Sequence, residues 1–233
     1  MPSKNTIRTF IKDGIYHIYD RGVEKRNIFL DEEDYKIFLY YLKVYLTPPN
    51  TENKKNKIPL NILRMGSEFD LYKNIKLLCY ALMPNHFHFL VRQIPERAIT
   101  EFMRRLTNAY VKYFNEKYQR VGPLFQGRYK AALVSEEKYL LRLSFYIHSN
   151  PLELAEYSDI ETLENYPYFS YPDYIGKRRI SWIDRDYILN YFGEEKKFTA
   201  YKELMQEFAL TFKLKSNKYK TNLTELKPLL LEK

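Results

Sequence analysis

Cysteine is almost missing from this chain: among its 233 residues only Cys79 is one. A lone thiol excludes an intramolecular disulfide and a cysteine-built zinc site, and it fits a reducing cytoplasm. Long apolar runs are missing too. No stretch approaches the roughly 18 apolar residues of a membrane-spanning helix, and the opening MPSKNTIRTFIKDG carries no apolar signal core. The reading is a cytoplasmic protein with no membrane partner. There is no internal repeat, and no His-x-x-Glu-His cluster that would mark a zinc hydrolase.

What the chain has in quantity is aromatic rings and positive charge. Aromatic residues make up 17% of it, with 23 Tyr and 15 Phe, and the formal charge is +9. Lysine and arginine neutralise phosphates, and aromatic faces stack on unpaired bases, so this pairing of properties points to nucleic acid. The apolar share of 45% supports a sizeable core, enough for one good-sized domain or a domain with an appendage.

Periodicity supplies the elements. Ile15–Arg21 (IYHIYDR) alternates as a strand and Gly22 ends it. His17, Tyr19 and Arg21 share one face. Asp31 is placed to cap a helix through EEDYKIFLYYLKVYL, which Pro48 and Pro49 close. Residues 47–75 read as a long basic excursion, partly ordered by Leu60–Met65. Ile75–Met83 is a continuous apolar run and reads as a buried strand; Pro84–Asn85 turns it into an antiparallel partner, His86–Arg92. Thr100 is expected to cap a helix to about Tyr118, and Arg128–Val134 alternates as a strand. Ser135 is expected to cap a further helix to Asn150. Two short helices, Trp182–Phe192 and Phe198–Phe212, and a basic tail follow. The order β, α, β-hairpin, α, β, α predicts an α+β, ferredoxin-like four-stranded antiparallel sheet with helices on one face. The other face is expected to be open for a ligand. The division expected is residues 1–176 as a catalytic domain, with 48–74 as an insert, and 177–233 as a C-terminal helical extension and tail.

Two features carry chemistry. In MPNHFHFLVR (83–92), His86 and His88 stand two apart and so project from one face of a strand. That is either half a metal site or the polar edge of a core strand with each ring hydrogen-bonded. In the helix ending at Asn150, Tyr146 and Asn150 lie four apart on one face. That is either a phenol and an amide presented to the histidines, or a packing tyrosine and an ordinary helix terminus.

Four segments, in order, carry a family resemblance. MPNHFHFLVR resembles the His-hydrophobe-His motif of the HUH single-strand DNA transposases that use one catalytic tyrosine. YHIYDRG, GPLFQGRYKA, and YIHSNPLELA with YPYFSYPDYIG are similar to segments of their REP-associated branch. The match spans about residues 14–176. It implies His86 and His88 as metal ligands, Tyr146 as nucleophile and Asn150 as third ligand. His148 is implied at a phosphate or beside the ligands. It further implies Mg²⁺ or Mn²⁺ as cofactor and single-stranded or hairpin, REP-like DNA as partner, and with that partner a nucleoid-associated location. Arg21, Arg26, Gln126, Arg128 and Lys130 are the expected DNA contacts. Asp20 departs from the family pattern, where Asn is frequent, and Glu156 replaces a frequent Gly.

Together these readings predict a metal-dependent transposase that nicks and joins single strands through a 5′-phosphotyrosine. The alternative is a DNA-binding protein of the same fold without catalysis, or one adapted to its host. A metal hydrolase without a covalent step is disfavoured, because MPNHFHFLVR offers no carboxylate as general base. Monomer and homodimer both remain open.

Overall fold

The computed structural model describes residues 10–48 and 70–218. The expected excursion lies mostly outside them, Leu60–Met65 included. Strand β1 (Ile15–Arg21) is followed by helix α1 (Glu32–Leu46), then β2 (Ile75–Met83) and β3 (His86–Gln93). Helix α2 (Ala98–Lys117), strand β4 (Lys130–Leu133), helix α3 (Glu137–Ser149) and helix α4 (Lys197–Lys218) complete the main elements. The four strands form one antiparallel sheet in the order β2-β3-β1-β4. That is the ferredoxin-like arrangement predicted from the element order.

Alternation along the strands sorts the core. Tyr16, Ile18, Phe87, Phe89 and Val91 face α1 and α2, where Phe38, Leu42, Phe102 and Leu106 complete one apolar layer. Helix α1 starts in a reciprocal capping box between Asp31 and Asp34, which satisfies two orphan N–H groups of its first turn. Asp34 is buried and accepts from the Leu30 amide (2.7 Å), the Tyr118 hydroxyl (2.8 Å) and the Lys117 ammonium (3.0 Å). One side chain thereby joins the start of α1 to the end of α2.

The opposite sheet face differs from the expectation of an open surface. Leu78, Cys79, Ala81 and Leu90 pack there against Leu143 and Ile147 of α3, and beyond them Tyr201, Met205 and Ala209 of α4. The cause is visible in β2: IKLLCYALM is apolar at both parities, and a strand apolar on both faces requires cover on both. The C-terminal residues therefore share a core with α3 and the sheet. Two predicted caps are also absent. Helix α2 begins at Ala98, before Thr100, and its Ile99 amide donates to the Gln93 side chain across the preceding turn (3.2 Å). Helix α3 begins after Glu136 with no side-chain cap from Ser135. The last helix is longer than predicted, with 22 residues.

Candidate active site

The site begins with register. Antiparallel pairing puts Tyr19 opposite His88 and Arg21 opposite His86, so the β1 face bearing His17, Tyr19 and Arg21 adjoins the β3 face bearing both histidines. Their rings are close and nearly perpendicular, with centroids 5.0 Å apart at 89°. Helix α3 crosses this face and brings Tyr146 edge-on to His88 at 5.7 Å and to His17 at 6.1 Å. Asn150 lies at the helix end, near enough to His86 to act against the lowering of its pKa. Its Nδ2 donates to the Tyr146 carbonyl at 2.8 Å, which leaves the amide oxygen for the imidazole side. Four residues drawn from two remote segments thus meet: His86, His88, Tyr146 and Asn150.

Each imidazole is anchored through Nδ1. That of His86 bonds Asn85 Oδ1 at 2.6 Å, and that of His88 bonds His17 Nε2 at 2.8 Å. The nitrogen left on each ring for a further ligand is Nε2. Burial, and then the Arg21 charge, lower the His86 pKa to about 4. Burial also pushes His88 well below the ordinary histidine range, with His86, His17 and Arg21 acting in the same direction. Both rings are neutral at pH 7, as a ligand must be. Among the described residues no group of three or more His, Cys, Asp or Glu side chains is arranged to hold a metal. A third protein donor to such an ion would have to come from another class, and Asn150 offers an amide oxygen. Two imidazoles and one amide oxygen fit a divalent ion that keeps open positions for phosphate and water.

Burial, and then the Glu153 charge, raise the Tyr146 pKa to about 12. The phenol is held protonated at rest. Arg21 is solvent-exposed and opposes that shift; Glu153 stands on the short helical turn that follows α3.

The other expected residues divide. Gln126, Arg128 and Lys130 are exposed. The Lys130 ammonium lies over the Tyr19 ring at 5.7 Å, on the histidine side of the edge strand. Arg128 lines a groove of about 790 Å³ with Asp20, Arg104, Asn108 and Lys112. That groove is on the α2 side of the sheet, away from the histidines. Arg26 is half-buried and pairs with Glu24 at 3.2 Å. His148 does not reach a phosphate. It is fully buried, Nδ1 bonded to the Tyr201 hydroxyl and Nε2 to the Ser170 hydroxyl, both at 2.8 Å. Lying two residues from Tyr146 on the helix, it points into the second core.

Two neighbours of the site were not singled out from sequence, His17 and Glu153. The signal for His17 was there: it shares a strand face with Tyr19 and Arg21 inside a matched motif.

An α+β, ferredoxin-like sheet that carries a histidine pair under a tyrosine-bearing helix is the class the fold and the site define. Residues 40–150, the segment that contains the histidine pair, Tyr146 and Asn150, match the family described as "Transposase IS200 like". A similar solved structure is described as a REP-associated tyrosine transposase bound to a REP hairpin. It is 12% identical, with a TM-score of 0.48 over 77% of this chain and 96% of that one. No curated protein matches the chain. Among the described residues no helix is long and apolar enough to cross a membrane.

Proposed function

We propose that this protein is a DNA transposase that nicks and rejoins single-stranded or hairpin DNA, with Tyr146 as nucleophile and a divalent ion on His86, His88 and Asn150. One observation carries the reading: Tyr146 lies edge-on to His88 although 58 positions separate them in the sequence (146 − 88).

In the proposed step the Tyr146 hydroxyl oxygen bonds to phosphorus, the bond from phosphorus to the 3′ oxygen breaks, the phenolic proton passes to water, and the leaving oxygen takes a proton from water to become a 3′-OH. A divalent ion held by His86, His88 and Asn150, Mg²⁺ or Mn²⁺, would supply positive charge against the non-bridging phosphate oxygens. The chain's own residues do the rest. The depressed pKa of His86 and His88 keeps both rings unprotonated as ligands. The raised pKa of Tyr146 keeps the nucleophile quiet until a phosphate is seated. Arg21, whose charge is felt by both the histidines and Tyr146, offers that charge to the phosphate. Because a phenolate is a good leaving group, the 5′-phosphotyrosine retains the bond energy and the strand can be rejoined without ATP. Exposed Gln126, Arg128 and Lys130, together with Arg26, are assigned to the DNA, Lys130 on the histidine side of the sheet and Arg128 on the α2 side; the basic balance of the chain suits this.

The test is a labelled hairpin oligonucleotide incubated with protein and Mn²⁺ and run on a denaturing gel. Wild type gives a covalent adduct and Tyr146→Phe gives none. An adduct that survives the Tyr146→Phe change removes the nucleophile assignment. Full cleavage by His86→Ala removes the metal assignment.

A further inference from the structure

His17 is buried beside the proposed ligands, 8% exposed, in a place where an apolar residue would pack with less cost. Among the described residues its ring makes one hydrogen bond, Nε2 to His88 Nδ1 at 2.8 Å. The two rings lie nearly parallel, 5.0 Å apart at 20°. A neutral imidazole carries one N–H and one lone pair, so this bond has two forms. In one, His88 Nδ1–H donates to His17 and His88 Nε2 keeps a lone pair. In the other, His17 donates, His88 is protonated on Nε2, and its open nitrogen cannot bind a cation.

The neighbouring ring shows how such a choice is fixed. His86 Nδ1 meets Asn85 Oδ1, and that amide is oriented because its Nδ2 donates to the Lys25 carbonyl at 3.2 Å. The Asn85 oxygen can only accept, so His86 carries its proton on Nδ1 and presents a lone pair at Nε2. The same need at His88 is met by His17. We propose that His17 is a positioning residue: as hydrogen-bond acceptor it holds His88 in the Nδ1–H form and aims its Nε2 at the ion. Unlike a carbonyl, His17 reaches His88 from the adjacent strand through the β1–β3 register, so the strand pairing itself sets the ligand. This role rests on the metal site proposed above, because only a ligand needs His88 Nε2 unprotonated.

The test uses the metal-free protein and Mn²⁺. A long-range ¹H–¹⁵N spectrum of histidine-labelled wild type is expected to show His88 protonated on Nδ1. His17→Ala is expected to mix the two forms and to weaken Mn²⁺ binding, followed by EPR, by about 10- to 100-fold. His17→Gln, whose side-chain oxygen can accept, is expected to recover most of the affinity, which a purely space-filling role would not. Wild-type His88 protonated on Nε2, or a folded His17→Ala protein with unchanged Mn²⁺ affinity, overturns the proposal. If His17→Ala does not fold, the wild-type spectrum and His17→Gln decide. Wild type that binds no Mn²⁺ while His88 still carries its proton on Nδ1 overturns the metal site itself, which separates the two failures.

Discussion

Acid should unfold this protein early, and His148 shows why. Its ring is fully buried between Tyr201 and Ser170. Burial, helped by the Arg178 charge, lowers its pKa to about 3. In the unfolded chain the value returns to about 6.5. Between those values the unfolded chain binds a proton that the folded chain does not, so this stability is complete above pH 6.5 and is lost as pH falls toward 3. From pH 7 to pH 5 the loss is about 2 kcal/mol for this one ring. His17, lowered to about 3, His86, to about 4, and His88, well below its usual range, are shifted the same way. Each of them therefore also favours unfolding as the pH falls. The measurement is urea unfolding at pH 7, 6 and 5 for wild type and His148→Gln. The variant starts less stable at pH 7, and should lose about 2 kcal/mol less than wild type on going to pH 5. An equal loss in both proteins refutes the reasoning, because it means that His148 takes up no proton on unfolding.

Removing Asp34 strips partners from the Leu30 amide, Tyr118 and Lys117 at once, so Asp34→Ala should cost about 3 kcal/mol in a chemical melt. At Gly22 an added methyl would stand 2.2 Å from the Arg26 carbonyl. Gly22→Ala should therefore destabilise by about 1–3 kcal/mol, and since the Gly22 amide donates to the Asn85 carbonyl (2.9 Å) it should also weaken Mn²⁺ binding. Arg128→Ala and Lys130→Ala should each lower the slope of log affinity against log salt by about 1 in a DNA-binding titration; an unchanged slope would remove that residue from the DNA contacts.

The sheet was legible because its cues are local. Alternation in IYHIYDR and HFHFLVRQ, and the Pro84–Asn85 turn between β2 and β3, are short-range signals. The helix starts were misread where the partner of the first turn is remote. Gln93 occupies the place that Thr100 was expected to fill, and no local rule points to it. The cover on the second sheet face was hidden for the same reason: the apolar residues of α3 and α4 do not say which surface they bury. At the site, the spacing of His86 and His88, and of Tyr146 and Asn150, placed each pair on one face. That the pairs meet depends on how α3 crosses the sheet, which spacing does not contain. The bond from His17 to His88 depends on strand register, and the inward turn of His148 on a core built by residues far along the chain.

The link between His148 and Tyr201 also has a consequence in time. The two residues are 53 positions apart, a stretch that takes roughly 3–10 s to synthesise on a ribosome. Until Tyr201 has emerged, Nδ1 of His148 has no partner and the sheet face beneath α3 lacks its outer layer. The strands that hold the histidine pair are finished well before then. The two halves of the site are thus built in sequence, and the helix bearing Tyr146 receives its last anchor only after the rest of the site has been made.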